Sequence, residues 1–181
     1  YQAYDFTLDE ANQAIHLTNT DLVLKSKQLY SHLKYAKQIV LLAATLGIEV
    51  ERQVRRDEFS EMTKAFVLDS ACVEYIQKIC DLAEVDIDAQ FPDCVLNRRF
   101  SPGYGDLSLE IQPQFLKTLG ADRLLGLTLT ENYLMIPRKS ITAILGLFED
   151  DKVARPRRKP SKNLTINMVK TGNFNVMGVT P

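Results

Sequence analysis

With 181 residues, 45% of them hydrophobic and 25% charged, and a net charge of −1, the chain has the make-up of an ordinary globular protein with one sizeable core. Three cysteines without a Cys-x-x-Cys pair, and only His16 and His32 beside them, argue against a disulfide framework, a zinc site or an iron–sulfur site and favour a reducing, cytoplasmic setting. No apolar run approaches the roughly 18 residues of a membrane helix, so no membrane partner is expected.

The first sixteen residues are weakly patterned, with Leu8 to Ala11 read as the start of a short helix. His16 to Leu24 carries β-branched residues and Leu22-Val23-Leu24, which predicts a strand. Ser26 is placed to cap a helix whose face holds Leu29, Leu33 and Ala36. Gln38 to Thr45 reads as a buried strand ending near Gly47, which puts Thr45 at a strand-to-helix junction.

From Phe59 to about Ala83 the spacing predicts the clearest helix, with Met62, Phe66, Val73, Ile76, Cys80 and Ala83 along one face. Asp69 falls among them. A carboxylate on a buried face needs a partner, so Asp69 is either a packing contact or a candidate ligand contact. Cys72 and Cys80 read as core residues.

Pro92 and the polar residues after it lead to Arg98-Arg-Phe-Ser-Pro-Gly-Tyr-Gly105. Pro102 fixes its own backbone, while Gly103 and Gly105 permit left-handed or crowded conformations in which amides and carbonyls approach a ligand closely. Arg99 offers a planar fork for a carboxylate and Tyr104 a flat ring with a polar tip. The same residues also fit a plain surface turn. Pro113 and Gly120 bracket a short helix bearing Phe115, Leu116 and Leu119. Leu125 to Thr130 and Lys139 to Phe148 read as two strands, paired antiparallel across a loop around Pro137. Glu131 ends the first strand and could accept a hydrogen bond from a ligand amine or ribose, or pair with Arg138 or Lys139. Met135 and Ile136 are placed to pack over a cofactor or to anchor the loop.

Beyond Phe148 the composition changes. From Lys152 to Pro181 there are seven Lys or Arg and no Asp or Glu, which leaves 15 of the 22 basic residues against all 23 acidic residues in the preceding body. We therefore divide the chain into a domain over 1–150 and a basic linker with a candidate β-hairpin over 151–181. The basic run lacks interleaved aromatics, which argues against a nucleic-acid surface.

Two ordered motifs, Arg99-Phe-Ser-Pro-Gly-Tyr104 and Leu129-Thr-Glu-Asn-Tyr-Leu-Met-Ile-Pro137 with Ser140, resemble the activation domain of cobalamin-dependent methionine synthase, and the wording is closer still to small free-standing versions of that domain. The strong match covers about 50 residues, with weaker similarity back through Leu42 to Gly47 and Lys64 to Asp69. The resemblance implies that Arg99, Ser101, Gly103 and Tyr104 hold S-adenosylmethionine. It also implies that the ligand serves to remethylate an inactive cobalamin, with an electron from a flavodoxin-like reductant. No Asp-x-His-x-x-Gly cobalamin motif occurs here, so the corrinoid would reside on a partner methyltransferase or corrinoid protein. The chain departs from the larger enzymes at Gly105-Asp-Leu-Ser108, where they carry Pro-x-x-Pro, and at Ile144 to Gly146, where they carry aromatics.

The expected fold is α+β, a twisted and largely antiparallel sheet packed with helices. The expected function is an accessory S-adenosylmethionine-binding protein for a corrinoid methyltransferase, with Arg99, Ser101, Gly103, Tyr104, Asp69 and Glu131 as ligand-site candidates and no catalytic residue of its own. The alternatives are a stand-alone S-adenosylmethionine-binding regulatory module and an interaction protein that has lost the ligand.

Overall fold

A computed structural model describes residues 1–149 and the backbone of two further strands, Met168–Thr171 and Phe174–Met177. The elements in order are β1 (Gln2–Tyr4), β2 (Phe6–Asp9), β3 (Ala14–Leu17), β4 (Val23–Lys25), α1 (Lys27–Leu33), β5 (Gln38–Thr45), α2 (Ile48–Ser60), α3 (Met62–Gln90) and β6 (Val95–Leu96). Then follow α4 (Gln112–Leu119), α5 (Ala121–Leu125), β7 (Thr128–Leu129), β8 (Met135–Ile136), β9 (Ser140–Phe148), β10 (Met168–Thr171) and β11 (Phe174–Met177). The fold is α+β, and every strand pair is antiparallel.

The central sheet has the order β1-β5-β9-β6, and its spine is the pairing of β5 with β9 from Gln38↔Leu147 to Thr45↔Ser140. β5 is an uninterrupted apolar run because helices cover both of its faces. On one face, Val40, Leu42, Ala143, Leu145 and Leu147 pack against Ile76, Ile79, Cys80, Ala83 and Ile87 of α3. On the other, Ile39, Leu41 and Ile144 meet Leu29 and Leu33 of α1, Phe115, Leu116 and Leu119 of α4, and the small sheet β2-β3-β4. α1 starts as expected, with Ser26 Oγ accepting from the Leu29 amide, and α4 has its proline in the first turn and stops at left-handed Gly120.

Four expectations are corrected. Leu8 to Ala11 holds the end of a strand and a turn, and His16 to Leu24 folds into the ends of β3 and β4 around a turn at positive-φ Asn19, so this region is a three-stranded sheet. The helix after Gly47 ends at Ser60, and a break at Glu61 (φ −155°, ψ 88°) separates it from α3, which runs on to Gln90. The buried side of α3 is reached only from Ile76 onward along the predicted face, while Met62, Phe66 and Val73 are exposed and the N-terminal half buries Ala65 and Cys72 instead. Finally, the two strands predicted on either side of Pro137 do not pair with each other. Thr128–Leu129 pairs with Met135–Ile136, and β9 instead joins β5 and β6, because its nine residues are needed at the centre of the sheet. Leu125 belongs to a short helix.

The predicted boundary near residue 150 and the basic linker lie outside the described residues. β10 and β11 pair antiparallel, with Met168↔Met177 and Thr171↔Phe174 in register. Among the described residues, no helix is long and apolar enough to cross a membrane.

Candidate functional site

The segment Arg99 to Leu107 crosses from β6 towards α4 as a tight turn fixed at three points. Phe100 forms an isolated antiparallel bridge with Ile144 of β9, with N–O distances of 2.9 and 2.8 Å, so the turn is an extension of the central sheet. Just before it, Asn97 is fully buried. Its Oδ1 accepts from the Gly146 amide at 2.7 Å and its Nδ2 donates to the His32 carbonyl at 3.1 Å. At the far end, Asp106 accepts from the Ser26 hydroxyl and from the Lys27 amide at 2.8 Å, which ties the turn to the start of α1. The Ser26 hydroxyl bond, helped by the Lys27 and Gln28 amides, holds the Asp106 carboxyl below the usual range.

The third anchor is Arg99. Its Nη2 donates to Asp81 Oδ1 at 3.0 Å and to Gln77 Oε1 at 3.3 Å, and its Nη1 lies 3.3 Å from Glu84 Oε1, off the hydrogen-bond axis. Asp81 and Glu84 lie one turn apart on α3, so the helix grips the guanidinium with two carboxylates. Nearby Cys80 is fully buried, and burial pushes its thiol up to about 11, which makes it an inert core residue as expected.

Inside the turn, the Gly103 amide donates to the Leu107 carbonyl and the Tyr104 amide to the Ser101 carbonyl. Gly103 and Gly105 both have positive φ, at 89° and 56°, and a Cβ on Gly105 would lie 2.2 Å from Gln28 Oε1. The positive φ favours glycine there, and a side chain would also push the Gln28 carboxamide aside.

This turn forms one wall of a cavity of about 530 Å³, within the roughly 300–1,000 Å³ of small-molecule sites. Arg99, Ser101 and Tyr104 line it. The opposite wall comes from the second motif, through Tyr133, Leu134 and Met135, and the floor includes Thr142 of β9 and Gln112 of α4. The sequence reading thus placed three of its candidates on one cavity, and Met135 as well. Gly103 shapes the turn without lining the cavity, its position facing Leu109.

Asp69 and Glu131 are not among the lining residues. Asp69 receives Lys139 Nζ at 2.8 Å, and the adjacent Arg138 amide donates to Glu51 Oε2 at 3.1 Å. These two contacts fasten α3 and α2 to the same loop. Because Glu51 lies ten residues before the break at Glu61 and Asp69 eight after it, the two helices fold back on each other as a hairpin. Asp69 is therefore a packing contact. Glu131 is exposed in the turn between β7 and β8, and Lys139, one of its two expected partners, is engaged by Asp69. Thr45 lies 2.8 Å from the Ser140 hydroxyl and supports the cavity edge from behind.

Sequence reading missed Gln28, Gln77, Gln112, Tyr133 and Thr142. Gln112 is 2% exposed, and its amide and the Thr142 hydroxyl exchange bonds of 2.9 and 3.1 Å. Tyr133 has φ of 62°, uncommon for a residue with a side chain and typical of functional loops. Its place inside the second motif was the one available signal. Arg99 is the sole charged lining residue, and its charge is already matched by Asp81 and Glu84. Rings, amides and hydroxyls make up the rest of the polar surface. Such a lining suits a ligand held by ring contacts and hydrogen bonds, and among the lining residues no unmatched cation is available for an anionic group. Among the described residues, no cluster of His, Cys, Asp or Glu could hold a metal ion. No protein-family model matches the chain, and no curated protein matches it.

Proposed function

We propose that the protein binds S-adenosylmethionine in this cavity and, as an activation-domain-like accessory, presents it to a corrinoid carried by a partner methyltransferase. The observation that carries the reading is that residues of the two separated motifs behind the resemblance, Arg99 to Tyr104 and Tyr133 to Met135, line a single cavity of about 530 Å³. Several lining residues support the reading. Tyr104 and Tyr133 offer faces for a purine, the Ser101 hydroxyl and the amides of Gln28 and Gln77 offer partners for its polar groups, and Arg99 offers a donor for the carboxylate. The bound ligand would supply an electrophilic methyl group. The protein's own part is binding, orientation and exclusion of water. Tyr104, two-thirds exposed at the mouth, is placed to close over the ligand.

A second reading rests on a specific observation. Asp81 and Glu84 already occupy the Arg99 guanidinium, so a ligand carboxylate must displace or share a partner, and a chain that has lost the ligand would be built in the same way. Calorimetric titration of S-adenosylmethionine into wild type and Tyr104→Ala separates the two. Saturable binding weakened about tenfold in Tyr104→Ala, the scale of a lost aromatic contact, with unchanged melting temperature, supports the proposal. Absence of heat with wild type at millimolar ligand rejects it in favour of the second reading.

A further inference from the structure

The turn joining α2 and α3 carries the largest exposed apolar side chains of the described protein. Phe59 is 95% exposed, Phe66 73%, Met62 69% and Val67 61%. They project from a hairpin that is tied to the loop at Glu51 and Asp69, is clamped across its two helices by Lys64 and Asp57 at 2.9 Å, and packs inward through Val54, Ala65 and Cys72. Along α3 the residues Met62, Phe66, Asp69, Val73, Ile76, Cys80, Ala83 and Ile87 recur at alternating intervals of four and three, the spacing of a helix-pairing seam. The half from Ile76 is covered by the sheet. The half from Met62 to Val73 is an apolar seam without a helix against it among the described residues.

We propose that this seam pairs with its counterpart on a second copy of the chain, forming a two-fold dimer in which two α2–α3 hairpins make a four-helix contact. Three observations favour a second copy as the occupant. The seam spacing is that of helix against helix, which a copy of the same hairpin satisfies by symmetry. The exposed surface of Phe59, Met62, Phe66 and Val73 is roughly 550 Å² per chain, so two copies have up to about 1,100 Å² to bury at these four positions, the scale of the roughly 1,000 Å² of a specific interface. The charges around the tip nearly cancel, with four cations at Arg52, Arg55, Arg56 and Lys64 against three anions at Asp57, Glu58 and Glu61, so two identical tips meet with little net repulsion although the body of the protein is acidic.

The test is sedimentation equilibrium of the full 181-residue chain, from low micromolar to about 100 micromolar, for wild type, Phe66→Glu and the double variant Phe59→Glu/Phe66→Glu. The proposal expects a wild-type dimer, at least a tenfold weaker dimer for Phe66→Glu and a monomer for the double variant, all with the same circular dichroism and melting behaviour. Because both positions are exposed in the monomer, the substitutions leave its fold intact. A wild type that stays monomeric over this range overturns the proposal. A double variant that dimerises like wild type also overturns it, by placing the interface elsewhere. Neither outcome bears on the ligand cavity, whose lining contains none of these residues.

Discussion

From Ile76 to Ile87 the apolar repeat of α3 lies on the central sheet, with Ile76, Cys80, Ala83 and Ile87 no more than 4% exposed, whereas from Met62 to Val73 the same repeat is 45% exposed or more. Identical spacing has met opposite surroundings. A period of three and four residues tells which face of a helix is apolar, while the extent of the sheet beneath decides how much of that face is covered. The covered half is also where α3 holds the turn that lines the cavity, through Gln77, Asp81 and Glu84. The uncovered half is free to serve another contact.

Substitutions should separate the halves. Ile87→Ala, at a fully buried position, is expected to lose about 3 kcal/mol in urea unfolding, from lost transfer energy and the cavity left behind. Phe66→Ala should change the monomer by no more than about 0.5 kcal/mol. Equal losses at the two positions would mean that the N-terminal half is covered after all. Arg99→Ala should cost about 2–3 kcal/mol in thermal unfolding, because buried Glu84 would lose the Arg99 cation and Asp81 would keep only Lys78, at 4.0 Å. Adding Glu84→Gln to that variant should recover part of the loss. A neutral effect of Arg99→Ala would show that the grip of α3 on the turn is dispensable.

Smaller effects are expected at the far side of the turn. Gly105→Ala should destabilise by about 1 kcal/mol or more, since its φ of 56° disfavours a side chain and the new Cβ would press on Gln28. Asp106 gives a pH signature. Its folded-state pKa lies below the ordinary 3.8, so its contribution is full above that value and is lost as pH falls through the folded pKa. The stability gap between wild type and Asp106→Asn, measured by denaturation from pH 6 downwards, should therefore be constant to about pH 5 and narrow in acid. A gap that widens in acid would contradict the role of the carboxylate as acceptor for Ser26 and the α1 amides.

Elements defined by local chemistry were legible in the sequence. Ser26 announced α1, Pro113 and Gly120 bracketed α4, the run from Ile39 announced a doubly covered strand, and Arg99 to Gly105 was identifiable as a turn able to face a ligand. Elements decided by long-range competition were not. β9 pairs with β5 because both are long and apolar, which overrides the nearer partner across Pro137. Asp69 was placed on a buried face by periodicity, but its partner, Lys139, is 70 residues away and could not be named from spacing. Gln112 and Thr142 meet between a helix and a strand, and neither residue type carries a sequence signal for a cavity floor.

The most direct test of the ligand site is nuclear magnetic resonance titration of isotope-labelled wild-type protein with S-adenosylmethionine. The account predicts saturable shifts concentrated at the amides of Ser101, Gly103, Tyr104, Gly105 and Tyr133 to Met135, with Phe59 to Val67 at the hairpin tip unaffected. Shifts confined to the tip, or none at millimolar ligand, would contradict it.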